Sequence, residues 1–250
     1  MFSIEFGVFT FKFQSNDFLF FEGVKNNQFQ KNSEELTRLV VLIADDSLSA
    51  EDVVRISDGR YAYAPRSIKP ALQKVMAAEG VQHKISLTMH SAGLSRTAGG
   101  ILLFGKSGAG KSTTADKLSS YFYTGNSDNN IILFSEKNDD SFLFMSLPFY
   151  NRQKQQPKPM EKPVSVQAAF LLEKEFDTHS SVAKIEDKDS VWRFLIDGQV
   201  QAPMLQPELF PKYNDMLAEF VDKTDFFLLK HNLNDSADFL YNLIAGVLND

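Results

Sequence analysis

The sequence predicts an α/β fold over residues 85–250, preceded by an α+β accessory region over residues 1–84. Apolar segments with strand character recur along the chain, and segments with helical character lie between several of them. One short apolar run, residues 101–104, leads through a glycine-rich segment into a helix-permissive run over residues 113–121. The chain has 250 residues, which is enough to bury a sizeable core in one large domain or in a main domain with a small partner.

The accessory region carries signals for strands and helices but no recognisable chemical motif. Phenylalanines alternate with polar residues from Phe9 onwards, as in a strand. Asn32 and Glu35 have the spacing of a helix capping box, and Gly80 is placed to end a helix. The elements predicted here are strands over residues 9–13 and 17–24 and helices over residues 33–44 and 68–79.

The second block contains both predicted strands and predicted helices. Its predicted strands cover residues 85–90, 101–104, 131–134, 142–147, 164–172 and 225–230, and its predicted helices cover residues 113–121, 187–196, 207–223 and 236–247. We also predict a hairpin turn over residues 96–100, a polar link over 124–128, a turn over 138–141 and an irregular surface loop over 152–163.

Composition and charge argue against several classes of function. The net charge is −6 and there is no basic stripe, which argues against nucleic acid as a main partner. The absence of cysteine excludes disulfides, thiol catalysis and thiolate metal sites. No apolar run approaches the roughly 20 residues of a membrane span, and the N-terminus lacks the basic region of a signal peptide. We therefore expect a soluble cytoplasmic protein without a membrane partner.

The segment after residues 101–104 has the spacing G-x-x-x-x-G-K-S, which is typical of a loop that binds the phosphates of a nucleoside triphosphate. Its candidate nucleotide-binding residues are Gly105, Lys106, Ser107, Gly108, Ala109, Gly110, Lys111, Ser112 and Thr113. Glycine lets successive backbone N–H groups approach phosphate oxygens, and a helix that starts near Lys111 directs its positive end toward them. We expect the Lys111 ammonium to reach the β- and γ-phosphates and the Ser112 hydroxyl to bind Mg²⁺. The alternative is a glycine-rich turn that binds nothing.

Three further residues are candidates to complete a site around this loop. Asp128 precedes a predicted strand, where it is either a second metal ligand or a residue that caps a turn. His90 ends a strand that we expect beside the strand of the loop, and its alternative role is structural. Arg152 either neutralises phosphate from the predicted surface loop or is solvated.

Beyond the loop, the chain resembles the HPr serine kinase/phosphorylase family, and more closely its smaller HPr-kinase-related members. The segments that carry the resemblance are residues 89–92 (Met-His-Ser-Ala), 99–113, 127–129 (Ser-Asp-Asn), 164–173 and 226–243. His90 lies at the family's distance before Gly105, and Asp128 lies at the family's distance after Ser112. The resemblance covers about residues 85–247.

The resemblance implies a mixed β-sheet flanked by helices, in a P-loop core related to that of ATP-type phosphoenolpyruvate carboxykinases. It implies an ATP- and Mg²⁺-dependent kinase that transfers the γ-phosphoryl to a serine-type hydroxyl of a protein, peptide or small molecule. By the same resemblance, Lys111 binds phosphate, Ser112 and Asp128 hold Mg²⁺, and His90 lies near the reacting phosphate. Assembly into a homo-oligomer is left open.

Asn129 departs from the family, in which an Asp-Asp pair binds metal and supplies the proposed base. An amide takes no proton from a hydroxyl at neutral pH. Three alternatives follow: Asp128 performs both roles, or His90 is the base, or the protein transfers the phosphoryl group slowly or not at all. Two alternatives to the kinase stay open, namely an ATP-binding relative that acts through partners and another P-loop NTPase. The chain has neither the Asn-Lys-x-Asp motif that reads guanine nor the Leu-Ser-Gly-Gly signature of transporter ATPases.

Overall fold

A computed structural model of the protein describes residues 2–6, 9–14, 38–49, 52–64, 68–124, 129–134, 141–146 and 163–248. These residues form two β-sheets, of five and nine strands, and five α-helices. Within these ranges, no helix is both long and apolar enough to cross a membrane. The predicted strand at 17–24, residues 138–140 of the predicted turn, residues 152–162 of the predicted surface loop and Asp128 lie outside the described residues.

The accessory region builds the first sheet. Its strands are β1 (Phe2–Phe6), β2 (Phe9–Gln14), β3 (Arg38–Ala44), β4 (Val53–Ser57) and β5 (Arg60–Tyr63). Their order is β1-β2-β3-β5-β4, with parallel pairs β2/β3 and β3/β5 in the centre and an antiparallel pair at each edge. The strand predicted at residues 9–13 is confirmed.

The helix predicted over residues 33–44 is wrong over its last seven residues, because Arg38–Ala44 is strand β3. This strand pairs with β2 on one side and β5 on the other, and its Val40 and Leu42 side chains are fully buried. A run of β-branched and aliphatic residues favours such a packed, pleated position, and here that preference outweighs the capping signal upstream. Residues 33–37 lie outside the described residues.

Helix α1 (Ile68–Gln82) continues past Gly80, where the sequence predicts its end. Gly80 instead allows close packing against the next strand, since a Cβ built on it would lie 2.4 Å from Ser86 Oγ and 2.6 Å from Ser86 O. Apolar side chains of α1 share one core cluster with Val40 of the first sheet and Ile131 of the second. The two sheets therefore pack through a common hydrophobic core, and the division into domains at residue 84 stays a prediction.

The second sheet is mixed and carries the glycine-rich loop. Its strands are β6 (Ser86–Met89), β7 (Ala92–Arg96), β8 (Gly99–Phe104), β9 (Tyr123–Thr124), β10 (Asn130–Leu133), β11 (Leu143–Ser146), β12 (Val164–Glu175), β13 (Ser181–Lys184) and β14 (Phe226–Asn232). Their order is β6-β10-β11-β12-β8-β7-β9, with β14 beside β12 and β13 beside β14. β12 runs parallel to β8 and β14, and the other pairs are antiparallel.

Helices cover both faces of this sheet. They are α2 (Lys111–Lys117), α3 (Lys188–Ile196), α4 (Phe210–Lys223) and α5 (Ala237–Val247). Side chains of α3 and α4 pack with Leu102 and Phe104 on one face, and side chains of α2 and α5 pack with Leu103 and Phe170 on the other. The predicted mixed sheet flanked by helices is thus confirmed, although α2 ends at Lys117, before the end of the predicted run.

Alanine substitutions at Gly80 and Gly246 are expected to change stability in opposite directions. Both glycines lie inside helices, but a Cβ built on Gly246 has no atom within 4 Å. Gly246→Ala should raise the free energy of unfolding by about 0.5–1 kcal/mol through helix propensity. Gly80→Ala should lower it by about 1–3 kcal/mol, because α1 must move away from Ser86. Chemical denaturation measures both, and a stabilising effect at Gly80 would contradict the close approach.

Candidate phosphate-binding site

Three parallel strands end at one edge of the second sheet. β12 is in register with β8 through Leu171 and Phe104, and with β14 through Glu175 and Asn232. Because the carboxyl ends of parallel strands meet at the same edge, the segment after β8 lies beside the end of β14. This is the edge at which ligands bind in open α/β sheets.

Residues 105–110 connect β8 directly to α2. Gly108 and Gly110 have φ angles of 79° and 96°, in the left-handed region that favours glycine. The Ala109 N–H donates to Lys106 O over 3.0 Å, and the Thr114 N–H donates to Gly110 O over 2.8 Å. The motif therefore lies on the strand, loop and helix that its spacing predicts, and its two later glycines adopt conformations that other residues rarely take.

Lys111 is the first residue of α2 and is only 8% exposed. Its ammonium donates to Gly105 O over 2.5 Å, which closes the loop onto its own first residue. Ser112 is half-buried, whereas Thr113 and residues 106–108 are exposed. A largely buried ammonium is stable only with a polar or anionic partner, and the Gly105 carbonyl is such a partner here.

Two residues to which the sequence analysis assigned no role hold the loop in place. His231, near the end of β14, is 2% exposed, and its Nε2–H donates to Ala109 O over 2.7 Å. A Cβ built on Gly110 would lie 2.6 Å from Cε1 of this imidazole. On the other side of the loop, Gln199 Oε1 accepts the Gly105 N–H over 3.3 Å. The loop is therefore held between the end of β14 and the turn that follows α3.

The sequence offered a usable signal for only one of these two residues. His231 follows the apolar residues of a predicted strand, and that position is a signal for the edge at which parallel strands end. Gln199 lies in a turn after α3, next to Gly198 with φ 116°, and nothing in its local pattern indicates a partner.

The turn after β14 ties α2 to the same edge of the sheet. Lys117 Nζ donates to Leu233 O over 2.7 Å and to Asp235 O over 2.6 Å. The Asp235 carboxylate is 6% exposed, lies 2.6 Å from His179 Nδ1, and accepts the Ser180 N–H over 2.6 Å. The hydrogen bond with His179 and the bond from Ser180 lower the pKa of Asp235 to about 2, so this carboxylate stays ionised at neutral pH.

His90 is linked to the loop through Gln199, and not through a neighbouring strand as predicted. The strand that it follows, β6, pairs with β10, so the expectation that this strand lies beside β8 is wrong. Residues 90–91 lead instead into β7, which forms the predicted hairpin with β8 and sets Ala92 opposite Leu103. The His90 N–H donates to Gln199 O over 2.6 Å. Gln199 thus binds His90 through its backbone and Gly105 through its side chain.

The position of Asn129, near His90, follows from the hydrogen bonds that its neighbour Asn130 makes in the core. Asn130 Nδ2 donates to Ser91 O over 2.7 Å and to Ser91 Oγ over 3.0 Å, and its Oδ1 accepts the Ser146 hydroxyl over 2.6 Å. These bonds join the start of β10 to the residue after His90. Asp128 lies outside the described residues, so its role as a metal ligand stays a prediction.

A cavity of about 260 Å³ lies between α1, β6 and the turn after α3. Its polar lining residues are Gln73, Thr88, His90, Asn129, Gln199 and Gln201. The cavity therefore brings together two positions of the predicted site, His90 and Asn129. Gln199 connects it to the glycine-rich loop through the bond to Gly105.

The residues around the loop fit a magnesium-bound polyphosphate. A Cβ built on Gly108 has no atom within 4 Å, so a ligand can approach the loop backbone there. Lys111 would supply an ammonium for phosphate oxygens, and Ser112 would supply a hydroxyl oxygen, the type of ligand that Mg²⁺ prefers.

Alanine at Gly110 is expected to be more harmful than alanine at Gly108. Both positions have a positive φ, which costs an alanine about 1–2 kcal/mol. Only at Gly110 would the new Cβ also contact the His231 ring, which adds about 1–3 kcal/mol through overpacking and loss of the bond to Ala109. The free energy of unfolding, measured by denaturant titration, should fall further for Gly110→Ala. Equal losses would show that His231 does not restrain the loop.

No protein-family model matches this chain, and no curated protein matches it.

Proposed function

We propose that the protein is an ATP- and Mg²⁺-dependent phosphotransferase of the HPr-kinase type, which transfers the γ-phosphoryl to a serine-type hydroxyl. The observation that carries this proposal is the loop between β8 and α2. Its G-x-x-x-x-G-K-S spacing coincides with a strand, loop and helix, with Gly108 and Gly110 left-handed and Lys111 largely buried at the helix start. Loops of this sequence and setting bind phosphate through backbone N–H groups and the lysine ammonium.

Each residue of the site has a definite role in this proposal. The loop N–H groups and Lys111 hold phosphate oxygens, which requires the ammonium to exchange its bond to the loop carbonyl for one to the ligand. Ser112 and, as the family resemblance implies, Asp128 hold Mg²⁺. Bound ATP and Mg²⁺ supply the transferable phosphoryl and neutralise its charge. We assign His90, whose backbone N–H donates to Gln199 O, to a position near the reacting phosphate, as the family resemblance implies.

Replacing Lys111 with alanine should abolish nucleotide-dependent activity. The loss of a charged hydrogen-bond donor should weaken ATP binding by about 10- to 100-fold. Incubation with γ-labelled ATP and Mg²⁺ measures both released phosphate and label transferred to an acceptor. Lys184→Ala, which removes an exposed lysine paired with Asp225 at 2.8 Å, is the matched control and should behave as wild type. Unchanged turnover in Lys111→Ala contradicts the proposal.

A second function, ATP binding without transfer, is favoured by one observation. Asn129 lines the same cavity as His90, and none of the cavity's described lining residues is a carboxylate. The family's proposed base is a carboxylate at the Asn129 position, so its replacement by an amide removes one route for the acceptor proton. Hydrolysis of ATP without transfer to any hydroxyl would instead favour another type of P-loop NTPase.

Restoring the carboxylate is the test that separates transfer from binding alone. If proton removal limits the reaction, Asn129→Asp should raise phosphotransfer by about 100-fold or more, the range of general-base catalysis. Asn242→Asp adds the same charge at an exposed position of α5 and should leave the rate unchanged. No gain in Asn129→Asp, with ATP affinity retained, would assign the proton transfer to Asp128 or His90, or leave a protein that only binds ATP.

A further inference from the structure

We infer that His231 is a positioning residue of the glycine-rich loop: it fixes the peptide unit between Ala109 and Gly110, and thereby makes the Gly110 N–H a donor to a ligand phosphate. The inference rests on the proposed function, because it concerns how the loop binds the polyphosphate of the nucleotide. It gives a part in anion binding to a residue of β14 that lies 122 positions after Ala109.

The second sheet fixes the place of the His231 imidazole. His231 is paired with Lys174 in the parallel ladder between β14 and β12, and it is 2% exposed. The next residue, Asn232, donates its N–H to Ser180 Oγ over 2.8 Å. Side chains on such supported strands hold their positions more precisely than side chains on loops. The imidazole is therefore a fixed point against which the loop can be oriented.

The imidazole makes two contacts with the loop, and both restrain the same peptide unit. Its Nε2 lies 2.7 Å from Ala109 O, and because a carbonyl oxygen only accepts, the proton of this bond is on Nε2. A Cβ built on Gly110 would lie 2.6 Å from Cε1 and 2.9 Å from Nε2 of the ring. The ring thus packs against the Gly110 backbone while its nitrogen holds the carbonyl that precedes Gly110.

This restraint determines where the Gly110 N–H points. In a planar trans peptide, the C=O of one residue and the N–H of the next point in opposite directions. No described peptide bond is cis, so with Ala109 O directed at His231 the Gly110 N–H points away from the imidazole. The backbone bonds of the described residues include no acceptor for this N–H, whereas the Ala109 N–H is bonded to Lys106 O. The Gly110 N–H is therefore available to a ligand.

The backbone around this N–H has the form of an anion-binding nest. Gly108 and Gly110 have φ angles of 79° and 96°, and Ala109 between them has a negative φ, because Lys84 is the one described residue other than glycine with a positive φ. Successive residues with alternating φ direct their N–H groups toward one concave side, where an anion binds. The bond from His231 keeps the Ala109–Gly110 peptide from rotating out of this arrangement.

The test compares His231→Leu with His231→Gln in the full chain. Leucine removes the donor, whereas the side-chain amide of glutamine supplies one. Inorganic triphosphate and Mg²⁺–ATP are titrated calorimetrically, and the KM for ATP and kcat are measured with γ-labelled ATP. His231→Leu should raise both dissociation constants and the KM about 10- to 100-fold with kcat unchanged, the range for one hydrogen bond to a charged group. His231→Gln should restore wild-type values to within about 3-fold.

Val221→Ala is the control that separates loop orientation from stability. Val221 is 2% exposed and belongs to the core cluster on the face of the sheet opposite to α2. The loss of buried volume should lower its melting temperature, as core truncations do. The dissociation constant of triphosphate and the KM for ATP should not change in this variant.

A measurement on the wild-type protein does not depend on whether a variant folds. When triphosphate is added, the Gly110 amide proton should move downfield in ¹H–¹⁵N spectra, because it gains a charged acceptor. The Ala109 amide proton should move less, since its bond to Lys106 O is already made. A Gly110 amide that does not respond while triphosphate binds overturns the inference.

The outcomes distinguish this inference from the proposed function. Equal triphosphate affinity in wild type and His231→Leu, or no recovery in a folded His231→Gln, overturns the inference; if Lys111→Ala still abolishes activity, the proposed function stands. Triphosphate binding that His231→Leu weakens and His231→Gln restores, without release or transfer of phosphate from ATP, supports the inference and overturns the phosphotransferase proposal. A wild-type protein that binds neither triphosphate nor ATP overturns both.

Discussion

The parallel pairing of β12 with β8 and β14 is the constraint on which the candidate site depends. It aligns the carboxyl ends of three strands, so the loop after β8 meets the end of β14 at one edge. Parallel strands need cover on both faces, and helices α2 and α5 on one side and α3 and α4 on the other supply it. The loop is held at this edge by the strand and helix that flank it and by its bonds to Gln199 and His231.

Buried polar bonds then position the residues around the loop. Gln199 joins the start of the loop to His90, and Asn130 joins β10 to the residue after His90. His231 fixes the far end of the loop through Ala109. Because an unpaired polar group in the interior is costly, each of these bonds favours a single arrangement of its segments more sharply than apolar packing does.

Unusual backbone conformations shape the loop itself. Gly108 and Gly110 hold left-handed conformations, and the ammonium of the largely buried Lys111 donates to the carbonyl of Gly105. Because glycine adopts positive φ angles at little steric cost, these residues fix the path of the chain from β8 into α2.

The sequence by itself determined the local structure. The glycine-rich spacing predicts the turn from β8 into α2, and apolar periodicity predicts most strands and helices of the second sheet, because both signals act between near neighbours in the chain. Only the tertiary structure decided that residues 38–44 form a strand and that α1 continues past Gly80, since pairing and packing partners there outweigh local preference. The tertiary structure also decided which residues contact the loop. Gln199 and Gly105 lie 94 positions apart in the chain, so their contact depends on the topology and is not indicated by the local sequence.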